Sequence, residues 1–179
     1  GAKALDKSLI SARTMINMDS EEEGIATVSC AGGLRIGCKR NIVRDNMQGS
    51  LVKIAISGLK GGHSGTDIDM ERKNANRVMA RVLYQIMKHT DGRLVAFVGG
   101  TKDNAIPREC EASIVYTELE EAKKAEKTAN DLAAALADEI TPYEEDSVCE
   151  VSLEEDREVK AIPTEDANAL ISAVYLAPN

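Results

Sequence analysis

Between residues 51 and 57 apolar and polar positions alternate, with Val52, Ile54 and Ile56 set against Lys53 and Ser57. A period of two predicts a strand with one face on a core. After a glycine-rich interval the period lengthens, and Ala75, Val78, Met79, Val82, Leu83, Ile86 and Met87 recur at helical steps while Arg72, Lys73, Arg77, Arg81 and Lys88 take other faces. That spacing predicts an amphipathic helix. A run over residues 94–98 and renewed alternation at Ala112, Ile114 and Tyr116 predict two more strands. Thr117-Glu118-Leu119-Glu120 has capping-box spacing ahead of an Ala-rich helix through Ile140, stopped by Pro142. Residues 148–153 supply a last strand, and residues 164–176, entered after Pro163, a last short helix.

The stretches 25–30 and 34–43 are also strand-like, with Gly32-Gly33 between them, and Asp45-Asn46-Met47-Gln48-Gly49 is a further turn signal. The whole order predicts an α+β fold, a ferredoxin-like β-α-β-β-α-β sandwich with both helices on one face of an antiparallel sheet, plus an added N-terminal β-hairpin. Edge strands and the sheet's other face need cover, so a partner is expected.

Composition narrows the function classes. The chain has 179 residues, 43% of them apolar, with one Phe and no Trp, so Val, Ile, Leu, Ala and Met must build the core. Its net charge is −8, and Lys and Arg form no basic strip interleaved with aromatics, which speaks against nucleic acid. No apolar run is long enough to span a bilayer and no signal peptide is evident, so a cytoplasmic protein away from membranes is expected. Cys30, Cys38, Cys110 and Cys149 include no C-x-x-C pair and read as buried free thiols. With two histidines and no His-x-x-x-His or His-x-Asp spacing, the chain does not assemble an ordinary zinc site alone.

Candidate chemistry gathers in three stretches. Gly58-Leu59-Lys60-Gly61-Gly62-His63-Ser64-Gly65 puts four glycines and a histidine between strand and helix. It reads either as a loop aiming backbone N–H groups and the His63 ring into one small volume, or as a turn whose glycines only solve geometry. Ser64, Thr66 or Asp67 is expected to cap the helix, which would place a helix N-terminus, and hence an anion site, beside the loop. His89, at the other end, reads as structural. In the second stretch, Gly99 to Glu109, Asn104 offers a donor and an acceptor to a peptide-like group, or bonds its own backbone. The third runs Asp19-Ser20-Glu21-Glu22-Glu23-Gly24 after an apolar segment: a carboxylate presented to a metal, or a solvated acidic turn.

Taken together, Asn17 to Gly24, Gly58 to Gly65 and Asn104-Ala105-Ile106-Pro107-Arg108-Glu109 closely resemble the aminoacyl-histidine dipeptidases (peptidase D or carnosinase-like) of the M20 metallopeptidase group. The resemblance implies a parent enzyme with a catalytic α/β domain holding two zinc-like divalent metals and an inserted lid that forms a homodimer. It implies that residues 1–31 are the tail of the catalytic domain and residues 32–179 the lid, incomplete at its C-terminus. Asp19 would be a metal ligand. His63 would be catalytic, stabilising the tetrahedral oxyanion in an active site that in related dimers is the other subunit's. Asn104 would contact the dipeptide substrate. The family's His-x-Asp motif, bridging Asp, Glu pair and C-terminal metal-binding His have no counterpart here, so the chain alone is expected to be inactive and to hold no metal firmly. The alternative is a free-standing ferredoxin-like module binding a small anion at the glycine loop and helix start.

Overall fold

The computed structural model describes residues 6–178 apart from 15, 17, 19–22, 30, 31 and 33. The chain forms two compact units, Gly1–Lys39 and Arg40–Asn179. In the first, a 3-10 turn spans Lys7–Leu9, and the Asp6 carboxylate accepts the Ser8 N–H at 2.9 Å. Among the described residues of 25–43, where a hairpin is expected, none lies in a strand. Val28, Leu34 and Ile36 are 97%, 85% and 78% exposed, so within this unit their alternation meets no apolar surface. A two-stranded ribbon without such a surface is marginal in water.

In the second unit the elements run β1 (Asp45–Ser57), β2 (Gly62–His63), α1 (Ala75–His89), β3 (Arg93–Gly99), β4 (Ala105–Ile106), β5 (Cys110–Tyr116), α2 (Leu119–Ile140), β6 (Val148–Ala161) and α3 (Thr164–Leu176). Four strands make an antiparallel sheet in the order β3-β5-β1-β6, the arrangement of a ferredoxin-like sandwich, and β2 and β4 make a separate two-residue ladder. The register puts Val52 opposite Ile114 and Ile54 opposite Ala112, so the alternating residues of β1 and β5 share one face.

Onto that face pack Met79, Val82, Leu83 and Ile86 of α1, the small residues Ala122, Ala125 and Ala129 of α2, and Ala167 and Ile171 of α3. Alanines let α2 lie close to the sheet. Each large apolar side chain buried this way contributes about 1.5–3 kcal/mol. Tyr116 and Thr90 add a buried polar link: Thr90 Oγ1 donates to the Ile86 carbonyl at 2.9 Å, which leaves the Tyr116 hydroxyl to donate to Thr90 Oγ1, also at 2.9 Å. The opposite face carries a small cluster of Leu51, Val115 and Ala161.

Two strands outrun their sequence pattern. The turn expected at residues 45–49 is the start of β1, irregular between Gly49 and Leu51, where a Cβ on Gly49 would run into the carbonyl oxygen of Tyr116. A bulge thus absorbs the turn-forming residues. β6 continues through Glu154 to Lys160 because it is an edge strand, whose charged side chains remain in water while its backbone pairs with β1. Lys53 and Arg157 both reach Glu154, at 2.5 and 2.8 Å, and hold its carboxyl below the usual range. The capping box also fails: Glu118, not Thr117, takes the N-cap place of α2 and makes no side-chain cap bond.

Candidate active-site loop

Residues 58–74 leave β1 and return to α1 as a loop pinned at both ends by one carboxylate. Glu144, 2% exposed, accepts the Lys60 N–H at 2.7 Å and the Lys73 N–H at 3.1 Å. Leu59 is fully buried beneath the entry, and Arg108 Nε donates to its carbonyl at 2.9 Å. In the middle, β2 pairs Gly62 with Ile106 and His63 with Ala105 of β4, and the Ser64 N–H donates to the Asn104 carbonyl at 3.0 Å. The two glycine-rich stretches, far apart in sequence, are therefore laced together by backbone, and His63 and Asn104 come onto neighbouring segments. Both side chains are exposed.

The tip folds on itself. The His63 N–H donates to Asp67 Oδ2 at 2.8 Å, and the Asp67 N–H returns to the His63 carbonyl at 3.1 Å. Arg72 Nη1 donates to the Gly61 carbonyl at 2.5 Å and lies 3.6 Å from the same Asp67 oxygen. Gly62, at φ 151°, sits so close that a Cβ there would be 2.6 Å from Asp67 Oδ2 and 2.7 Å from Arg72 Nη1. Only glycine fits that place. Gly65 and Thr66 donate their N–H groups to His63 Nδ1, at 3.1 and 3.2 Å.

These bonds correct two expectations. The loop's N–H groups do not converge on a guest, because those of Lys60, His63, Ser64, Gly65, Thr66 and Asp67 are spent on the protein itself. Nor does the loop open into a helix N-terminus. Asp67 precedes a 3-10 turn, Ile68–Met70, and α1 begins only at Ala75 with Asn74 as its cap. There the Asn76 and Arg77 N–H groups go to Asn74 Oδ1 at 3.0 and 3.4 Å, and that of Ala75 to the Pro107 carbonyl at 2.9 Å. With those donors taken, the first turn has little left for an anion. Ser64, Thr66 and Asp67, the expected caps, all lie well before the helix.

Other assignments divide. His89 is exposed in the last turn of α1. Asn104 enters the bond with Ser64 through its carbonyl, not its side chain. Asp19, the expected metal ligand, lies outside the described residues. Among those described, no three His, Cys, Asp or Glu side chains gather to hold a metal ion, so they offer no cage for one. Cys110, buried at the start of β5, has its thiol pushed up to about 12, by burial and then by Glu111, and is no nucleophile. Burial likewise raises half-buried Cys149, whereas Cys38 is exposed, against the expectation of buried thiols.

Sequence reasoning missed Glu144 and Arg72 as supports. Glu144 sits in the acidic run Tyr143-Glu144-Glu145-Asp146 and looks no different from its solvated neighbours, while Arg72 falls in with the polar positions around α1.

Residues 54–144 match the model of the M20 peptidase dimerisation domain. The chain belongs to that family. This M20 domain is 40% identical over 116 residues to the cytosol non-specific dipeptidase of Escherichia coli, a match covering 64% of the chain and 24% of that protein. It also resembles the crystal structure of aminoacylhistidine dipeptidase from Vibrio alginolyticus, with a TM-score of 0.69 and 32% identity over 78% of the chain and 29% of that protein. The M20 domain thus spans about a quarter of the length of these relatives. No helix among its described residues is long and apolar enough to cross a membrane.

Proposed function

We propose that the chain is the lid and dimerisation region of a cytosolic, metal-dependent dipeptidase that hydrolyses Xaa-His dipeptides, with residues 1–31 belonging to its catalytic domain and residues 32–179 to its lid. One observation carries the reading: His63 is exposed, and its Nδ1 accepts two backbone N–H groups, so Nε2 is the nitrogen left to donate to an incoming group. A preorganised donor facing a carbonyl that becomes an oxyanion stabilises the transition state by about 3 kcal/mol. Asn104, on the segment laced to Ser64, is the companion contact to the dipeptide. The names of the two relatives support the dipeptidase activity, and that of the Vibrio alginolyticus protein the Xaa-His preference.

Two zinc ions would bind in the intact enzyme, with Asp19 as one ligand. The chemistry assigned to this chain is limited to hydrogen-bond donation and substrate contact. In a homodimer the lid would deliver His63 to the partner's active site. His63→Ala in the full-length enzyme is expected to lower kcat while leaving metal content unchanged. Parallel loss of zinc in a metal titration would contradict the role.

A further inference from the structure

The loop holds the imidazole of His63 by backbone, and what holds that backbone is a carboxylate. A ring nitrogen that accepts two N–H groups cannot carry a proton, so the neutral ring has its one proton on Nε2. For the amides of Gly65 and Thr66 to point back at the ring, residues 63–67 must form a closed turn. Two bonds close it, His63 N–H to Asp67 Oδ2 and Asp67 N–H to the His63 carbonyl. The carboxylate is in turn fixed by Arg72, which also grips the Gly61 carbonyl just before the histidine. The capping role that would otherwise explain an aspartate here belongs to Asn74. We propose that Asp67 is a positioning residue, whose carboxylate keeps residues 63–67 in the turn that holds the His63 imidazole in its Nε2–H form. The proposal rests on the reading of His63 as the donor to the substrate carbonyl.

The test combines Asp67→Ala, Asp67→Asn and Arg72→Met with two kinds of readout. The chain has only two histidines, so two-bond 1H–15N correlations of the labelled 179-residue chain at alkaline pH resolve the His63 ring, with His89 as internal reference. Hydrogen exchange reports separately on the Gly65 and Thr66 amides. The unaltered chain is expected to show an unprotonated Nδ1, a protonated Nε2 and protected Gly65 and Thr66 amides. Asp67→Ala should speed exchange at those two amides on the order of tenfold, with the buried amides of α1 unchanged. In the full-length enzyme it should lower kcat on the order of 10- to 100-fold with little change in KM. Asp67→Asn, which retains an acceptor oxygen, should recover most of that loss. Unchanged exchange at Gly65 and Thr66 in Asp67→Ala overturns the proposal, as does an Asn variant no better than Ala. Should Asp67→Ala not fold, Arg72→Met decides on the same amides, with faster exchange in support and unchanged rates against. His63→Ala separates the two readings: if it leaves kcat intact, the substrate role of His63 falls, while the exchange data still show whether Asp67 holds the ring.

Discussion

Glu144 shows how much one buried side chain decides. It is the shared acceptor for two backbone N–H groups 13 positions apart, at Lys60 and Lys73, and so closes the loop that carries His63. Replacing it with alanine strands both donors in a site the carboxylate had filled, each costing about 1–3 kcal/mol if it finds no water. Glu144→Ala is therefore expected to lower urea-unfolding stability and to expose residues 60–73 to proteolysis ahead of the sheet. Cleavage of residues 60–73 no faster than in the unaltered chain would argue against the pin. Gly49 makes a simpler case: Gly49→Ala should shift the urea midpoint down, because the Tyr116 carbonyl occupies the space its methyl needs.

At α1, the buried stripe and the cap make separable contributions. Leu83 is fully buried between helix and sheet, and Leu83→Ala should cost about 2–5 kcal/mol, read from denaturant unfolding. Asn74→Ala removes the acceptor of two first-turn N–H groups and should cost only about 1 kcal/mol. β5 adds a pH dependence. Burial pushes the Tyr116 phenol up to about 12, from an ordinary value near 10. Folding therefore disfavours the ionised form, so the stability tied to Tyr116 is complete below pH 10 and is lost as pH rises from 10 toward 12. Cys110, raised to about 12 from its ordinary value, begins the decline earlier in the alkaline range. Tyr116→Phe should flatten the upper part of that limb in alkaline denaturation and leave the neutral-pH plateau otherwise similar in shape.

Across the whole chain the sheet ends in two edges, β3 and β6, and the proposed homodimer predicts a mass twice that of the chain in sedimentation equilibrium. A monomer at all concentrations would remove the lid's pairing role from this region. The proposed division of labour further predicts no dipeptide hydrolysis by the 179-residue chain with added zinc, and measurable turnover would contradict it.

The amphipathic stripe of α1, the alternation of β1 and β5, and the span of α3 were legible in order, because local spacing alone selects which face of each element is apolar. His63 and Asn104 were legible as candidates for the same reason: a histidine and an asparagine amid glycines are conspicuous in one dimension. Their being laced together was not, since residues 63 and 105 are opposed only through a two-residue ladder. Nor was the loop's use of its own N–H groups, which depends on where Asp67, Arg72 and Glu144 arrive in space. The pattern at residues 25–43 misled because alternation makes a strand only when a surface exists to receive one face. Periodicity thus specified the elements and their buried sides; the destination of each polar group, which depends on neighbours distant along the chain, was decided by the tertiary fold.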